Sequence, residues 1–269
     1  MSRQREAGLD ARGDSRQVAL IASLAAAFPV FAAGPPGDED ASSWGLGIGV
    51  ASEKKAYKDF DRDNKVVPLL QYENRYVRIM GPGIEVKLPG LRISDTQALH
   101  FGLVGEFDAS GYKPKDSPVF TGMRERKSGF WVGARVEWET SAVNLVAEWK
   151  GDASGDSKGQ MASLGLERNW HIGERWMLTP RLVAKWRDDK YVDYYYGVRS
   201  DEVRAGRPAY RGTSGSSAEL GLRTMYLFDR HNAVFLDVGV SSLPASVKDS
   251  PLVDRSSEYS VCMGYSHRF

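Results

Sequence analysis

Four histidines are the side chains of this sequence best suited to acid–base chemistry: His100, His171, His231 and His267. A histidine that acts as a general base must lie within hydrogen-bond reach of the group that it activates, beside an acidic or hydroxyl partner. The strands assigned below place all four at or near one end of the fold, and two of them in tight turns. None lies at the opposite rim, where a substrate would arrive. We therefore predict no catalytic residue and no enzymatic activity.

A short acidic motif, Asp152-Ala153-Ser154-Gly155-Asp156-Ser157-Lys158-Gly159, is the best candidate for a metal site. Carboxylates in a Gly- and Ser-rich loop attract calcium, but this loop lacks the further acidic ligands that calcium requires. No other pair of His, Cys or carboxylate side chains has ligand-like spacing on one face of an element. We predict a solvated turn here, and neither a metal site nor a bound cofactor.

The last eleven residues show which kind of element positions these side chains. Large side chains occupy every second position, at Tyr259, Val261, Met263, Tyr265 and His267. Strand side chains alternate between two faces, so one face is apolar and aromatic and the other is small and hydrophilic. A chain that ends on such a strand, with an aromatic residue such as Phe269 in the last position, resembles bacterial outer-membrane β-barrel proteins.

The same alternation recurs along the chain. Apolar rows run through residues 44–50, 99–107, 130–138, 143–149, 162–166, 176–186, 220–226 and 234–240. Charged residues fall almost wholly on the opposite face, which meets the lumen in a barrel. No run of about 18 or more apolar residues exists, which excludes a spanning helix, whereas barrel strands expose only alternate residues to lipid. The 28 glycines suit crowded interiors, and the 7 tryptophans and 12 tyrosines suit interfacial girdles.

Connection lengths provide an independent test of the barrel. Short connections near 139–141, 171–174 and 229–232 alternate with long polar ones at 108–127, 151–158, 188–213 and 244–256. This order is typical of periplasmic turns and extracellular loops, and a β-sandwich would not show it. Between residues 66 and 88 we assign three strands, Val66 to Glu73, Arg75 to Met80 and Gly83 to Leu88. The prediction is an all-β, antiparallel transmembrane β-barrel of about 12 strands with both termini periplasmic; ten or fourteen strands also fit.

The N-terminus predicts export. Arg12 and Arg16 precede an apolar stretch from Val18 to Ala33 that ends in small residues, as in a secretory signal peptide. We assign residues 1–33 to a cleaved signal, 34–43 to a periplasmic segment and 44–269 to the barrel. Removing residues 1–33 deletes four basic and three acidic side chains and leaves 32 of each, so nothing favours nucleic-acid binding. The single Cys262 permits no internal disulfide.

Three loop motifs point to a family. They are the Asp152–Gly159 motif, Tyr194-Tyr195-Tyr196-Gly197-Val198 with Gly206-Arg207-Pro208-Ala209-Tyr210 further on, and Ser250-Pro251-Leu252-Val253. With the Gly-rich first strand and Pro68-Leu69-Leu70-Gln71-Tyr72-Glu73, these resemble the MltA-interacting protein (MipA/OmpV) family of outer-membrane proteins, from about residue 44 to the end. The family often has His at or beside the position of Ser157, which weakens any transfer of a ligand site.

The resemblance implies a barrel that bridges a peptidoglycan-degrading lytic transglycosylase and a peptidoglycan-synthesising penicillin-binding protein. Other members of the family look like adhesins, antigens or antibiotic-entry proteins. The resemblance therefore specifies the architecture more closely than the activity. It also implies a Gram-negative outer-membrane location, with membrane lipid as an immediate neighbour.

Under this register, ten charged side chains point into the lumen: Arg135, Glu137, Glu148, Glu167, Arg181, Lys185, Arg187, Glu219, Arg223 and Asp237. Their mixed signs favour cross-strand ion pairs that fill a narrow barrel. An open pore would require the charges to segregate into facing arcs. The tyrosines Tyr194 to Tyr196 fit either girdle aromatics that lead into an ordered loop or, less simply, a ligand platform.

The first functional hypothesis is a non-enzymatic scaffold or anchor for peptidoglycan-remodelling enzymes, contacted through residues 34–43 and the turn Pro89 to Thr96. Such a barrel would raise the effective concentration of its partners at the membrane. A small-solute channel or uptake porin is the second hypothesis. The third is a surface adhesin whose activity resides in loops 108–127 and 188–213.

Overall fold

The computed structural model describes residues 42–269, so the predicted signal (1–33) and residues 34–41 lie outside the described range. The strands are β1 Ser43–Lys54, β2 Asp63–Glu73, β3 Val77–Met80, β4 Gly83–Ser94, β5 Gln97–Asp108, β6 Gly129–Thr140, β7 Asn144–Asp152, β8 Gln160–Glu167, β9 Trp170–Ile172, β10 Trp176–Arg187, β11 Gly215–Leu227, β12 Asn232–Ser242 and β13 Ser257–Arg268. Among the described residues, two α-helices lie between strands, α1 Asp189–Tyr196 and α2 Ala245–Lys248, as do two short 3-10 helices, Pro118–Phe120 and Ser200–Glu202.

The strands form one antiparallel sheet that closes on itself. β1 pairs with β2 along one edge and with β13 along the other, which joins the first strand to the last. β8 and β9 follow each other along the same edge of β10, and β11 takes its other edge. β8 and β9 therefore occupy one position in the wall, and the predicted twelve-stranded antiparallel barrel is confirmed. Among residues 42–269, no helix is long and apolar enough to cross a membrane.

The two ends of the barrel differ in their connections. We call the end that carries Ser43 and Phe269 the turn end, and the opposite end the loop end. Turn-end connections span 74–76, 95–96, 141–143, 173–175 and 228–231; loop-end connections span 55–62, 81–82, 109–128, 153–159, 188–214 and 243–256. The predicted alternation of short and long connections holds through the second half of the chain. The two-residue β3–β4 turn is the exception on the loop side.

The wall separates apolar from charged side chains. Leu222 and Leu236 point outward and are 41% and 44% exposed, whereas Asp237 points inward and is fully buried. The final strand follows the predicted pattern, because Met263 is 58% exposed on the outer face and its neighbour Cys262 is buried. The outer face is therefore the oily one, and the inner face holds the charges, as a barrel in lipid requires.

Residues 63 to 94 differ from the prediction. The three predicted strands exist, but β2 begins earlier, β3 has only four residues, and β4 continues through Ser94. The predicted turn from Pro89 to Thr96 is therefore wrong: Pro89 to Ser94 are strand residues, and the turn is confined to 95–96. A bulge places Pro89 and Gly90 opposite a single residue of β5. The bulge interrupts the β4–β5 ladder, while the opposite edge of β4 has no described strand partner beyond Val86, where a proline is tolerated.

The short β3–β4 hairpin leaves part of the wall incomplete. The Gly81 N–H donates to the Leu70 carbonyl at 2.9 Å, and β2 pairs with β3 only from Gln71 to Glu73. Within the described chain, Asp63 to Leu69 pair with β1 alone. Pro68 lies on this stretch, and its nitrogen, which carries no hydrogen, faces the unpaired edge on the same side as the Leu70 carbonyl. We call this gap between β2 and the loop end of β5 the side opening.

Candidate functional site

A buried ion network crosses the lumen between β10, β11 and β12. The Arg181 guanidinium donates two parallel hydrogen bonds of 2.9 Å to the Asp237 carboxylate. Arg223 contacts the same carboxylate at 2.6 Å. Glu219 lies 3.4 Å from Arg181 and 2.6 Å from Lys185, so the network alternates in sign. The predicted cross-strand ion pairs are confirmed for these five residues.

A second network faces it from β5, β6 and β7. Lys150 contacts Glu106 and lies 2.7 Å from Glu148. Arg135 lies 3.1 Å from Glu137 on its own strand and 3.9 Å from Glu148 on the next. Cations and anions alternate here as well, rather than segregating into opposite arcs. The lumen is thus crossed by paired charges, which favours a filled barrel over a wide, selective pore.

A third ionic cluster, near the turn end, involves Glu73, Arg78, Glu85 and Lys87. Arg78 lies 3.0 Å from Glu73 and 3.2 Å from Glu85, and Lys87 contacts Glu73. These residues belong to β2, β3 and β4, so the cluster holds the short hairpin to the wall. The sequence pattern gave no indication of it, because the β3 register could not be derived from four residues.

A cavity of about 180 Å³ remains on the loop side of the networks. Its wall carries seven acidic side chains, Glu53, Glu106, Asp108, Glu148, Glu167, Glu219 and Glu258. It also carries seven basic ones, Lys55, Lys65, Arg135, Lys150, Arg181, Lys185 and Arg187. Apolar surface comes from Trp131, Met161, Val183, Tyr191 and Tyr196. The space is charged but neutral in sum, and it is partly aromatic.

An aromatic cluster covers the loop end of this cavity, and we call it the lid: Tyr57, Tyr112, Phe120, Tyr191, Tyr195, Tyr196, Val247 and Leu252. These residues come from four different loop-end connections. Tyr112 and Phe120 stack with ring centroids 3.9 Å apart, and the Tyr57 ring stacks on Tyr196 at 5.3 Å. The Tyr57 hydroxyl donates to the Tyr195 carbonyl at 3.2 Å. The long loops thus form a packed cover rather than an open mouth.

The tyrosine motif lies inside this lid, so its interpretation as a membrane girdle is wrong. Asp188 caps α1 by accepting a hydrogen bond from the Tyr191 N–H at 2.8 Å. Tyr191, Tyr195 and Tyr196 are buried on one side of the helix. Burial, and next the Asp108 carboxylate, raises the pKa of Tyr191 to about 12. The N-cap and the apolar spacing of a helix were the signals that could have predicted α1.

A buried ion pair fastens the lid from its outer side. The Arg126 guanidinium donates to both oxygens of the Glu202 carboxylate, at 2.9 and 2.7 Å, and both side chains are 1% exposed. The backbone N–H groups of Arg124 and Arg199 donate to the same carboxylate. Burial alone would raise the pKa of Glu202, but these hydrogen bonds outweigh it and lower the pKa to about 2. Sequence reasoning missed this pair because its partners lie on separate irregular loops.

The acidic motif at Asp152 forms a self-contained turn. The Asp152 carboxylate accepts hydrogen bonds from the backbone N–H groups of Ser154, Ser157 and Lys158 and from the Ser157 hydroxyl, at 2.7–2.8 Å. These donors use the oxygens that a cation would need. Gly159 ends the motif against Tyr191, where an added Cβ would lie 2.9 Å from two atoms of that residue. The motif therefore supports the lid by packing closely against Tyr191.

The histidines lie at the turn end, away from the cavity and the lid. His100 contacts the exposed Glu139 at 3.1 Å, and His267 contacts Asn232 at 2.8 Å. The His231 ring lies 2.9 Å from the Arg268 carbonyl, and His171 is exposed on β9. Within the described part of the chain, no three His, Cys, Asp or Glu side chains gather as they would around a metal ion.

Several known proteins are similar to this chain. The sequence model of "MltA-interacting protein MipA" matches residues 46–269. The "Putative outer membrane protein YiaT" of Escherichia coli (strain K12) is 26% identical over 234 residues, which cover 85% of this chain and 92% of that protein. The "MltA-interacting protein" of the same strain is 26% identical over 227 residues, 83% of this chain and 89% of that protein. An outer-membrane channel of Pseudomonas putida F1 has a similar structure, with a TM-score of 0.44, 14% identity, and coverage of 87% of this chain and 99% of that one.

Proposed function

The chain belongs to the MltA-interacting protein family, and we propose that its barrel anchors peptidoglycan-remodelling enzymes at the outer membrane. The family model matches most of the chain, and the relatives are named as outer-membrane proteins. The barrel is thus an outer-membrane protein whose apolar outer face meets lipid. In this proposal the turn end faces the periplasm. The partners are a lytic transglycosylase and a penicillin-binding protein, in keeping with a relative that is named for its interaction with MltA.

The observation that carries the proposal is an apolar surface on β4 at the turn end. β3 begins at Val77, opposite Val86, and the Lys87 N–H donates to the Tyr76 carbonyl; from Leu88 onward, β4 pairs only with β5 among the described residues. Leu88, Leu91 and Ile93 lie on this stretch and are 41%, 56% and 52% exposed. A strand edge without a neighbour, flanked by large apolar side chains, is a surface on which another protein can dock.

The closed lumen also supports an anchor. Two ion networks and the lid obstruct the barrel, so the surfaces available to macromolecular partners are its two ends. Holding two enzymes on one anchor would raise the effective concentration of each near the other. The predicted N-terminal contact segment, Gly34 to Ser43, leads into β1 at the same turn end, although most of it lies outside the described residues.

A pull-down from detergent-solubilised envelope under mild crosslinking tests the proposal. The double variant Leu91→Lys, Ile93→Lys should lower recovery of the murein hydrolase and synthase by about tenfold, the effect of roughly 1.4 kcal/mol of binding energy. The matched control is Ile172→Lys, which charges another exposed apolar residue (53%) at the turn end and should leave recovery unchanged. Deleting Gly34 to Ser43 should weaken recovery while insertion remains intact. Full recovery with both changes would contradict the anchor.

A small-solute channel is the second candidate, and the cavity of about 180 Å³ is the observation that favours it. Single-channel recording in planar bilayers separates the two functions. Under the anchor proposal the obstructed lumen gives no stepwise conductance. Regular conductance steps that vanish when the protein is denatured would identify a channel and contradict the anchor proposal.

A further inference from the structure

Three charged side chains at the loop end of the cavity form no direct ion pair with one another. Arg187, Asp108 and Glu258 lie at the loop ends of β10, β5 and β13, and all three line the cavity. Among the described residues, none of them has an oppositely charged group within 4.0 Å. Each therefore faces the same space with its charge unmatched by direct contact.

Their remaining contacts leave hydrogen-bonding capacity in the cavity. Asp108 accepts one hydrogen bond from the Ser110 N–H at 2.6 Å, and Glu258 accepts one from the Ala56 N–H at 3.2 Å. A carboxylate accepts about four hydrogen bonds, so both retain acceptor sites. Arg187 stacks its guanidinium 5.1 Å from the centre of the Tyr191 ring, a contact that uses none of its five N–H donors.

Most of the deeper charges of the same cavity, though not Glu167, behave differently. Lys150, Glu148, Arg181 and Glu219 all belong to the two ion networks and are matched by partners at hydrogen-bond distance. A charge withdrawn from water is costly unless it is paired and hydrogen-bonded. The unpaired set therefore marks a place where bound ligand charges would be stabilised, and it contains both signs.

Aromatic walls surround this set. The Trp131 ring lies 5.6 Å from the Tyr191 ring, and within residues 42–269 its buried Nε1 has no hydrogen-bond acceptor. Tyr196 and Met161 complete the apolar lining. A volume of about 180 Å³ is similar to an engineered cavity of about 150 Å³ that holds benzene, so a molecule with one small apolar group fits.

We propose that the cavity binds a small zwitterion of the amino-acid class with an apolar side chain. Arg187 receives the carboxylate in the bidentate geometry that guanidinium favours. Asp108 and Glu258 receive the ammonium group, and the apolar side chain lies against Trp131 and Tyr191. The cavity wall carries seven groups of each sign, and a zwitterion adds no net charge to that balance. The proposal is independent of the anchor function.

The side opening provides the route to this site. Lys65 on the unpaired stretch of β2 and Glu106 on β5 both line the cavity, one on each side of the opening. The lid blocks the direct path through the loop end. In this proposal a ligand passes beside the short β3–β4 hairpin and the lid remains closed.

Equilibrium dialysis with the purified full-length barrel in detergent tests the site with labelled L-phenylalanine. The comparison ligands are 3-phenylpropionate, which lacks the ammonium group, and 2-phenylethylamine, which lacks the carboxylate. Phenylalanine should bind at least about tenfold more tightly than either, because each analogue leaves one protein charge without a partner. Equal binding of either analogue would overturn the zwitterion assignment, and so would no binding of phenylalanine at millimolar concentration.

Two variants test which protein side chain binds the carboxylate of the ligand and which binds its ammonium group. Arg187→Gln should weaken the binding of phenylalanine and phenylpropionate by about tenfold and leave the binding of phenylethylamine unchanged. Glu258→Gln should weaken the binding of phenylalanine and phenylethylamine and leave the binding of phenylpropionate unchanged. The control Arg211→Gln removes an exposed arginine outside the cavity and should change nothing. Folding is checked by heat-modifiable gel mobility, and if Arg187→Gln fails to fold, the Glu258→Gln pattern decides. Unchanged phenylalanine binding in a folded variant would overturn the proposal.

Discussion

The Phe269 ring stacks on the Trp44 ring, with centroids 3.9 Å apart and planes at 12°. These residues lie at the two ends of the barrel sequence, beside the seam where β1 pairs with β13. The Phe269 N–H also donates to the Trp44 carbonyl at 3.0 Å. The terminal aromatic residue thus fastens the closure of the barrel on its outer surface at the turn end.

This stack should appear as an energetic coupling. Trp44→Ala and Phe269→Ala should each destabilise the folded barrel in urea titrations in lipid vesicles. The loss of unfolding free energy in the double variant should be smaller than the sum of the two single losses. The difference should be about 0.5–1.5 kcal/mol, the usual value for an aromatic pair. Phe228, which contacts Tyr226 at 5.1 Å, is the control, and Trp44→Ala combined with Phe228→Ala should be additive. Equal coupling in both pairs would contradict a specific role for the stack.

The two faces of the wall should respond differently to charge. Leu222→Arg or Leu236→Arg places a cation on the outer face and should cost about 2–4 kcal/mol near mid-bilayer. Gly221 points inward, and a Cβ there would lie 2.4 Å from the guanidinium carbon of Arg181. Gly221→Ala should therefore disturb the lumen network without a lipid penalty. Refolding into bilayers of different thickness separates the two causes, since only the leucine variants should depend on thickness. The same dependence for Gly221→Ala would mean that the register is wrong.

Asp237 should be the most sensitive carboxylate in the lumen. It is fully buried and contacts both Arg181 and Arg223, so Asp237→Asn leaves two guanidinium groups without a full counter-charge. Removing one partner of a buried pair costs about 3–5 kcal/mol, measured here as a shift of the urea midpoint. The control is Glu139→Gln, because its exposed pair with His100 should contribute less than about 1 kcal/mol. Similar losses in both variants would argue against the network.

The regular part of this fold was predictable because a membrane imposes a strict period. Lipid on one side and a charged lumen on the other assign every second residue, so Leu222, Leu236 and Asp237 could be placed from the sequence. The strand count followed from assigning three strands between residues 66 and 88 and from the even number that a barrel with both termini at one end requires. The strand at β3 was predicted, but its short length and the continuation of β4 through Ser94 were not, since four residues carry too little periodicity and Pro89 is typical of a turn.

The candidate site was less predictable than the wall. Its inward charges, including Arg187, were assigned correctly from the alternation of strands. Which charges pair depends on the stagger between strands that are distant in sequence, such as β5 and β10. The lid was not predictable, because Tyr57 and Tyr196 meet through loops without any repeating pattern. The helix α1 was the one lid element with a local signal.

The last prediction concerns the pH at which the lid loosens. The pKa of Glu202 is lowered to about 2 in the folded protein, so the carboxylate stabilises the lid at any pH above its ordinary value of 4.5. As the pH falls from 4.5 towards 2, the Glu202 carboxylate is protonated in the unfolded form but stays ionised in the folded form. The free energy of unfolding therefore falls by about 3 kcal/mol. Near-UV circular dichroism of the buried tyrosines and limited proteolysis of residues 109–128 should both report an opening in this window. Glu202→Gln should abolish the pH step and leave the lid looser at every pH, because Arg126 then lacks its counter-charge. Asp201→Asn, which removes only the exposed partner of Arg124, should retain the step. An unchanged step in Glu202→Gln would assign the transition to another group.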